Sequence, residues 1–103
     1  MKRDMRAILQ VDRLIHEPGR LVIMAVLYFV EAADFLYLLR ETGMTKGNLS
    51  SHLAKLEAGG YVDIEKTYKE KTPRTICRLS RTGRAAFQQY RTHLKNAADK
   101  MKD

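Results

Sequence analysis

The chain contains one cysteine, Cys77, in 103 residues, and no apolar run longer than the ten residues from Leu21 to Val30. A lone thiol cannot close an internal disulfide. A small secreted scaffold held by disulfides is therefore excluded, and a reducing cytoplasm is the expected setting. Ten helical residues span about 15 Å, half of a bilayer's roughly 30 Å hydrocarbon layer. Glu31 and Asp34 stop any extension of that run, so no membrane partner is expected. The opening stretch, MKRDMRAILQVDRLIHEP, is basic but has neither the apolar core of a signal peptide nor a small-residue cleavage site. Linkers rich in Pro, Gly or Ser, internal repeats and low-complexity segments are missing as well. His16, His52, His93 and Cys77 stand far apart, with no Cys-x-x-Cys or His-x-x-x-His spacing for a metal and no glycine-rich phosphate loop. No catalytic constellation, metal site or cofactor is expected.

Positive charge, in contrast, is in excess: 19 Lys and Arg against 12 Asp and Glu give a formal net charge of +7. Such a balance favours an anionic partner, nucleic acid before membrane. The excess is uneven. Residues 64–84 hold seven basic groups, Lys66, Lys69, Lys71, Arg74, Arg78, Arg81 and Arg84, against two acidic ones. Residues 21–44 hold one basic and three acidic groups, and residues 45–63 hold two of each.

With 45% hydrophobic residues, the chain can build one modest core over residues 1–103. A chain this short hides roughly 60–70% of its unfolded surface, so a dimer interface would add useful burial. Ile8, Val11 and Ile15, with Leu14 beside them, predict a short amphipathic helix over Asp4 to Ile15. Pro18 suits a first helical position and opens the apolar helix that runs to about Val30. Being apolar all round, that helix needs cover on more than one side, part of it from a second subunit. Leu36, Leu39 and Arg40 mark a third helix ended by Gly43.

Only Met44 separates Gly43 from Thr45, a good N-cap for a helix over about 45–58 with Leu49, Leu53 and Leu56 on one narrow stripe. Two helices joined so tightly match the helix-turn-helix pattern. Alternation at Val62 and Ile64, a polar turn from Lys69 to Pro73, and Thr75, Cys77 and Leu79 on one face predict a β-hairpin over about 61–79 with a basic tip. Ser80 caps a last helix over about 81–101, in which Phe87, Tyr90, Leu94, Ala97 and Met101 recur with the heptad rhythm of a helix–helix seam.

At about 100 degrees per residue, Leu53 and Leu56 fall within about 40 degrees of Leu49, and Gly47, Ser51, Ala54 and Ala58 fall near the opposite side. Asn48 and Lys55 flank that outer face. It carries no large apolar group, so the helix can enter a DNA major groove, with Lys46, Asn48 and Ser51 as base or phosphate contacts. His52 lies about 60 degrees from the stripe. It is either a DNA contact or a ring packed on the helix edge. Ser50, on the other flank, is either a DNA contact or bonded to a neighbouring helix. Lys69, Lys71 and Arg74 at the hairpin tip can grip phosphates or reach a minor groove, and they carry affinity rather than specificity. Cys77 shares a strand face with Leu79, which suggests core packing rather than redox sensing.

The stretches GNLSSHLAKLEAGGYVDIEK and KTPRTICRLSRTGRAAFQQY resemble the small winged-helix transcriptional regulators of the MarR and ArsR groups. The likeness extends from about Ile15 to Tyr90. It rests on Leu49, Ser50, His52, Leu53, Leu56, Glu57, Gly60 and Tyr61, then Arg74, Thr75, Leu79 and Gly83. The resemblance implies a mainly α fold with a small β-hairpin (α+β), a winged helix-turn-helix with an extended C-terminal dimerisation helix. It also implies a homodimer on double-stranded DNA, most simply a repressor at a near-palindromic operator. On that reading Thr45, Lys46, Gly47, Asn48, Ser50, Ser51, His52, Lys55, Lys69, Lys71 and Arg74 face DNA. Phe87, Tyr90, Leu94, Ala97 and Met101 face the second subunit. Three positions depart from the pattern: Leu36 where Ser or Thr usually caps the second helix, Gly19 inside a helix start, and Cys77 at a strand position more often aromatic. The paired cysteines of ArsR-type metal sensing are missing. The alternative is a winged helix used for protein–protein contact or assembly. Such domains usually lack the basic wing and polar helix face found here. These 103 residues leave no room for a separate ligand domain, so any small-molecule effector would act at the dimer interface or on helix spacing.

Overall fold

The computed structural model describes residues 4–103. A short 3-10 helix (Met5–Gln10) leads into helix α1 (Pro18–Phe29), strand β1 (Ala33–Asp34), helix α2 (Phe35–Thr42), helix α3 (Lys46–Ala58), strands β2 (Val62–Lys69) and β3 (Thr72–Leu79), and helix α4 (Arg81–Met101). The expected α+β winged helix-turn-helix is the observed fold. Among the described residues no helix is long and apolar enough to cross a membrane.

The first segment differs from its expected amphipathic helix. Asp12 accepts hydrogen bonds from the backbone N–H groups of Leu14, at 2.8 Å, and Ile15, at 3.2 Å. A short carboxylate that captures local N–H groups offers the backbone a turn in place of a helix. The helical part therefore ends at Gln10, while Val11 and Ile15 still reach the core, at 8% and 0% exposure.

α1 begins with Pro18 at its first position, and its Ile23, Met24 and Leu27 are fully buried. Phe29, at its far end, is exposed. Strand β1 has no counterpart in the sequence reading, which shows only a hairpin. It adds to the outer side of β3, in the order β1-β3-β2, with Ala33 opposite Cys77 and Asp34 opposite Ile76. Cys77 is thus a small residue facing another small residue where β1 approaches. Its thiol is fully buried, and burial, then the charges of Glu57 and Asp34, pushes its pKa up to about 11. At neutral pH it is a protonated core group.

The cap of α2 comes from Asp34 rather than from position 36: its Oδ1 accepts from the Tyr37 N–H at 2.7 Å. Leu36 therefore lies inside the first turn of α2, where no capping hydroxyl is required. Gly43 ends α2 in the left-handed region, at φ 68°.

The end of α3 locks onto the start of α4. Gly60, at φ 81°, turns the chain, with Gly60 N–H donating to the Glu57 carbonyl and Tyr61 N–H to that of Leu56, the paired bonds of a Schellman stop. Ser80 N–H then donates to the Tyr61 carbonyl at 3.0 Å, and Ser80 Oγ donates to the Gly60 carbonyl while accepting from Gly83 N–H. The Tyr61 hydroxyl donates to Asp12, and this bond, with burial, pushes its pKa up to about 12.

Candidate nucleic-acid interface

α3 supplies the first part of the candidate interface. Thr45 Oγ1 accepts from the Asn48 N–H at 3.2 Å, which fixes where the helix begins. Leu49, Leu53 and Leu56 are buried, at 0%, 3% and 0% exposure, and hold one face of α3 against the core. Lys46, Gly47, Asn48, Ser50, Ser51, Ala54 and Lys55 are exposed. Among the described residues the side chains of Lys46, Asn48, Ser51 and Lys55 make no hydrogen bond or ion pair, so their polar atoms face water.

Nothing among the described residues explains Gly47. A Cβ added there would have no atom within 4 Å, so neither packing nor a close internal contact requires glycine.

His52 takes the packed position. Its Nδ1 lies 3.3 Å from Glu17 Oε2 and 3.4 Å from an Arg20 guanidinium nitrogen, tying α3 to the start of α1. Burial pushes the Glu17 carboxyl up, but the Gly19 N–H bond and the charges of His52 and Arg20 outweigh it and hold the group below its ordinary range. A Cβ on Gly19 would stand 2.6 Å from His52 Nε2, which accounts for glycine at that helix start. Ser50 lies on the opposite flank and, among the described residues, makes no bond to a neighbouring helix. With Leu53, Ala54 and Glu57 of α3, it lines a groove of about 590 Å³ shared with Ile64, Lys66 and Thr75 of the hairpin.

The hairpin is the second part of the candidate interface. Its turn is only two residues, Glu70 and Lys71, both in the left-handed region at φ 52° and 69°. That pair of angles matches the right-handed twist of the flanking strands, although Asn-Gly is the usual sequence for it. The strands run further toward the tip than the expected Lys69–Pro73 turn allows, with Lys69 opposite Thr72 and Tyr68 opposite Pro73. A two-residue turn makes Lys69–Thr72 a hydrogen-bonded pair. Tyr68–Pro73 is then a non-bonded one, where the missing proline N–H faces away from the partner strand. Lys69 and Lys71 are exposed at the tip. Arg74 is not free there: its guanidinium donates to Asp34 Oδ2 at 2.9 Å, joining the wing to the cap of α2.

Two residues of this surface escape the sequence reading. Lys66 counts there among the hairpin cations without a place in the interface, and Tyr68 has no role. The period-two pleat is the signal that finds both, because it puts them on the face of Val62 and Ile64, toward α3.

Of the five residues on the expected seam of α4, Phe87, Tyr90 and Ala97 are buried within the chain itself, at 5%, 2% and 2% exposure. The Tyr90 hydroxyl lies 2.8 Å from His16 Nδ1. Leu94 and Met101 remain on the surface at 37% and 55%, and Met5, Ile8 and Leu9 of the 3-10 helix, which packs on α4, are exposed as well.

A short helix α2, a tight turn, a helix α3 with a free polar face and a basic two-stranded wing define a winged-helix protein. Residues 20–98 match the family model described as a winged helix DNA-binding domain, and the chain belongs to that family. Over 71 residues it is 39% identical to an uncharacterized protein of Methanocaldococcus jannaschii, covering 69% of this chain and 77% of that one. The structure of a transcriptional regulator homologue from Pyrococcus horikoshii superposes with a TM-score of 0.83 at 28% identity, over 92% of this chain and 93% of that one. A MarR-family transcriptional regulator from Silicibacter pomeroyi shares the fold, with a TM-score of 0.66 at 22% identity, over 94% of this chain and 63% of that one. The resemblance to winged-helix transcriptional regulators is thereby borne out.

Proposed function

We propose that the protein binds double-stranded operator DNA as a homodimer and represses transcription by occupying a promoter. The observation that carries this reading is the outer face of α3. Lys46, Asn48, Ser51 and Lys55 stand exposed and without partners among the described residues, and one flank of the same helix shares a groove with the wing, whose tip carries exposed Lys69 and Lys71. In a major groove Asn48 can pair with adenine N6 and N7, and the lysines with guanine or phosphate. Two such helices related by a two-fold axis would sit about 34 Å apart on a near-palindromic site. The subunit contact is assigned to Leu94 and Met101 with Met5, Ile8 and Leu9. These side chains leave apolar surface on the 3-10 helix and α4 that the other described residues do not cover.

Selection of bound sequences from a random duplex pool, repeated across salt concentrations, tests the whole reading. A near-palindromic consensus with steep salt dependence is expected. Salt-insensitive binding to random duplex overturns it, and sedimentation as a monomer at micromolar concentration overturns the two-fold operator. Asn48→Ala should relax preference at one or two base pairs by about 1–3 kcal/mol each while leaving the salt slope in place. Gly47→Ala separates folding from binding. Alanine favours helix by about 0.5–1 kcal/mol, so Tm should rise by about 2–8 °C. DNA affinity should fall, because the bare backbone of Gly47 lets the duplex approach closely. A stabilised variant with undiminished affinity would remove Gly47 from the interface.

A further inference from the structure

Tyr68 is 73% exposed, the one large hydrophobic side chain left in water on the wing among the described residues. Its surroundings are specific. The pleat of β2 places it on the same face as Ile64 and Lys66, the face that closes the groove against Ser50 and Ala54 of α3. Across the ladder it faces Pro73, in a pair whose side chains stand close because no hydrogen bonds are exchanged there. Lys66 shares that face of β2, and Lys69 and Lys71 follow at the exposed tip of the hairpin. An apolar plate on a hairpin with these lysines matches a surface that alternates apolar sugar with anionic phosphate.

The reach fits as well. Tyr68 lies six residues beyond buried Val62, about 20 Å along an extended strand. Half a turn of DNA, which separates a major groove from the next minor groove, is about 17 Å. We infer that Tyr68 and Pro73 pack against the deoxyribose walls of the minor groove beside the segment read by α3, so that the wing's grip depends on groove width. This assignment rests on the operator-binding reading above and goes beyond it. It gives the wing a share of sequence selectivity through DNA shape, where its lysines supply affinity only. A narrow A·T-rich flank brings both walls against the plate, and a wider G·C-rich flank leaves it in water.

The test uses the full chain and two duplexes that share one selected core site, one flanked by A·T runs and the other by G·C runs. The wild type should favour the A·T-flanked duplex by about tenfold, the equivalent of burying part of one aromatic ring. Tyr68→Ala should bind both duplexes alike, at the affinity of the weaker one, with the wild-type salt slope retained. Tyr68→Phe, which keeps the ring, should keep the preference. Equal binding of both duplexes by the wild type overturns the inference, as does a Tyr68→Ala variant with the preference intact. Loss of the salt slope in Tyr68→Ala also overturns it, because it would show that Tyr68 only holds the wing together. Each of these outcomes leaves operator binding standing. Failure of the wild type to bind any duplex removes operator binding and this inference together.

Discussion

Replacing Lys69 and Lys71 together by alanine is expected to weaken duplex binding on every sequence and to flatten its salt dependence. Each lysine that neutralises a phosphate releases a counterion, and the logarithm of affinity falls by about 0.9 per phosphate for each tenfold rise in salt. The double variant removes two lysines from each protomer, four from the proposed homodimer, so the slope should drop by about 3.6, and affinity by roughly 4,000-fold at 0.1 M salt. Both side chains are exposed, and among the described residues neither belongs to an ion pair in the wing, unlike Arg74 with its 2.9 Å bond to Asp34. The double variant should therefore fold and melt like its parent. Base preferences found by site selection should be unchanged, because α3, the proposed reading helix, is untouched. Titration of one duplex across a series of salt concentrations checks this. An unchanged slope means that the wing does not touch phosphate.

Gly83→Ala should be the most damaging small substitution in the chain. A Cβ at position 83 would lie 2.8 Å from the carbonyl carbon of Tyr61 and 2.9 Å from its Cα, and closer still to the carbonyl oxygen. These are backbone atoms, so no side chain can rotate away. The same Tyr61 carbonyl accepts the Ser80 N–H at 3.0 Å, and relief of the clash would pull that bond apart. Overpacking of this kind costs about 3 kcal/mol, which in a domain of this size lowers Tm by roughly 12–24 °C. Thermal denaturation followed by circular dichroism reads the shift. The same substitution at Gly47, where the added methyl meets nothing, should move Tm the other way. That contrast shows that the loss comes from the clash with Tyr61 rather than from alanine itself.

The parts of the fold that follow from local rules are legible from residue order. Pro18 opens α1, Thr45 caps α3, Gly43 and Gly60 turn left-handed after their helices, and Ser80 caps α4. Each acts through backbone geometry within a few residues, so a single sequence is enough. The outer face of α3 is legible for the same reason, since helical period sorts Leu49, Leu53 and Leu56 from the rest. What escapes depends on partners distant in the chain. β1 is two residues long and exists because Ala33 and Asp34 meet Cys77 and Ile76. Arg74 reads as a wing-tip cation in the sequence, where its bond to Asp34, 40 residues away, leaves no trace. The seam along α4 has the correct period, yet the period cannot say whose surface fills it. Phe87, Tyr90 and Ala97 are covered by the chain's own earlier segments. The first helix comes out shorter than its apolar spacing suggests because Asp12 captures backbone N–H groups, although Val11 and Ile15 still obey that spacing.

The bonds around Tyr61 also have a mechanical consequence. Its hydroxyl is held by Asp12, its carbonyl by Ser80, and its N–H by the last turn of α3. The end of α3, the root of the wing and the base of the 21-residue α4 therefore meet at one joint rather than through a loose tether. α4 works as a lever about 31 Å long fixed at that joint. On the operator-binding proposal, a rotation of α4 at its far end, where Met101 lies, would move α3 through that joint.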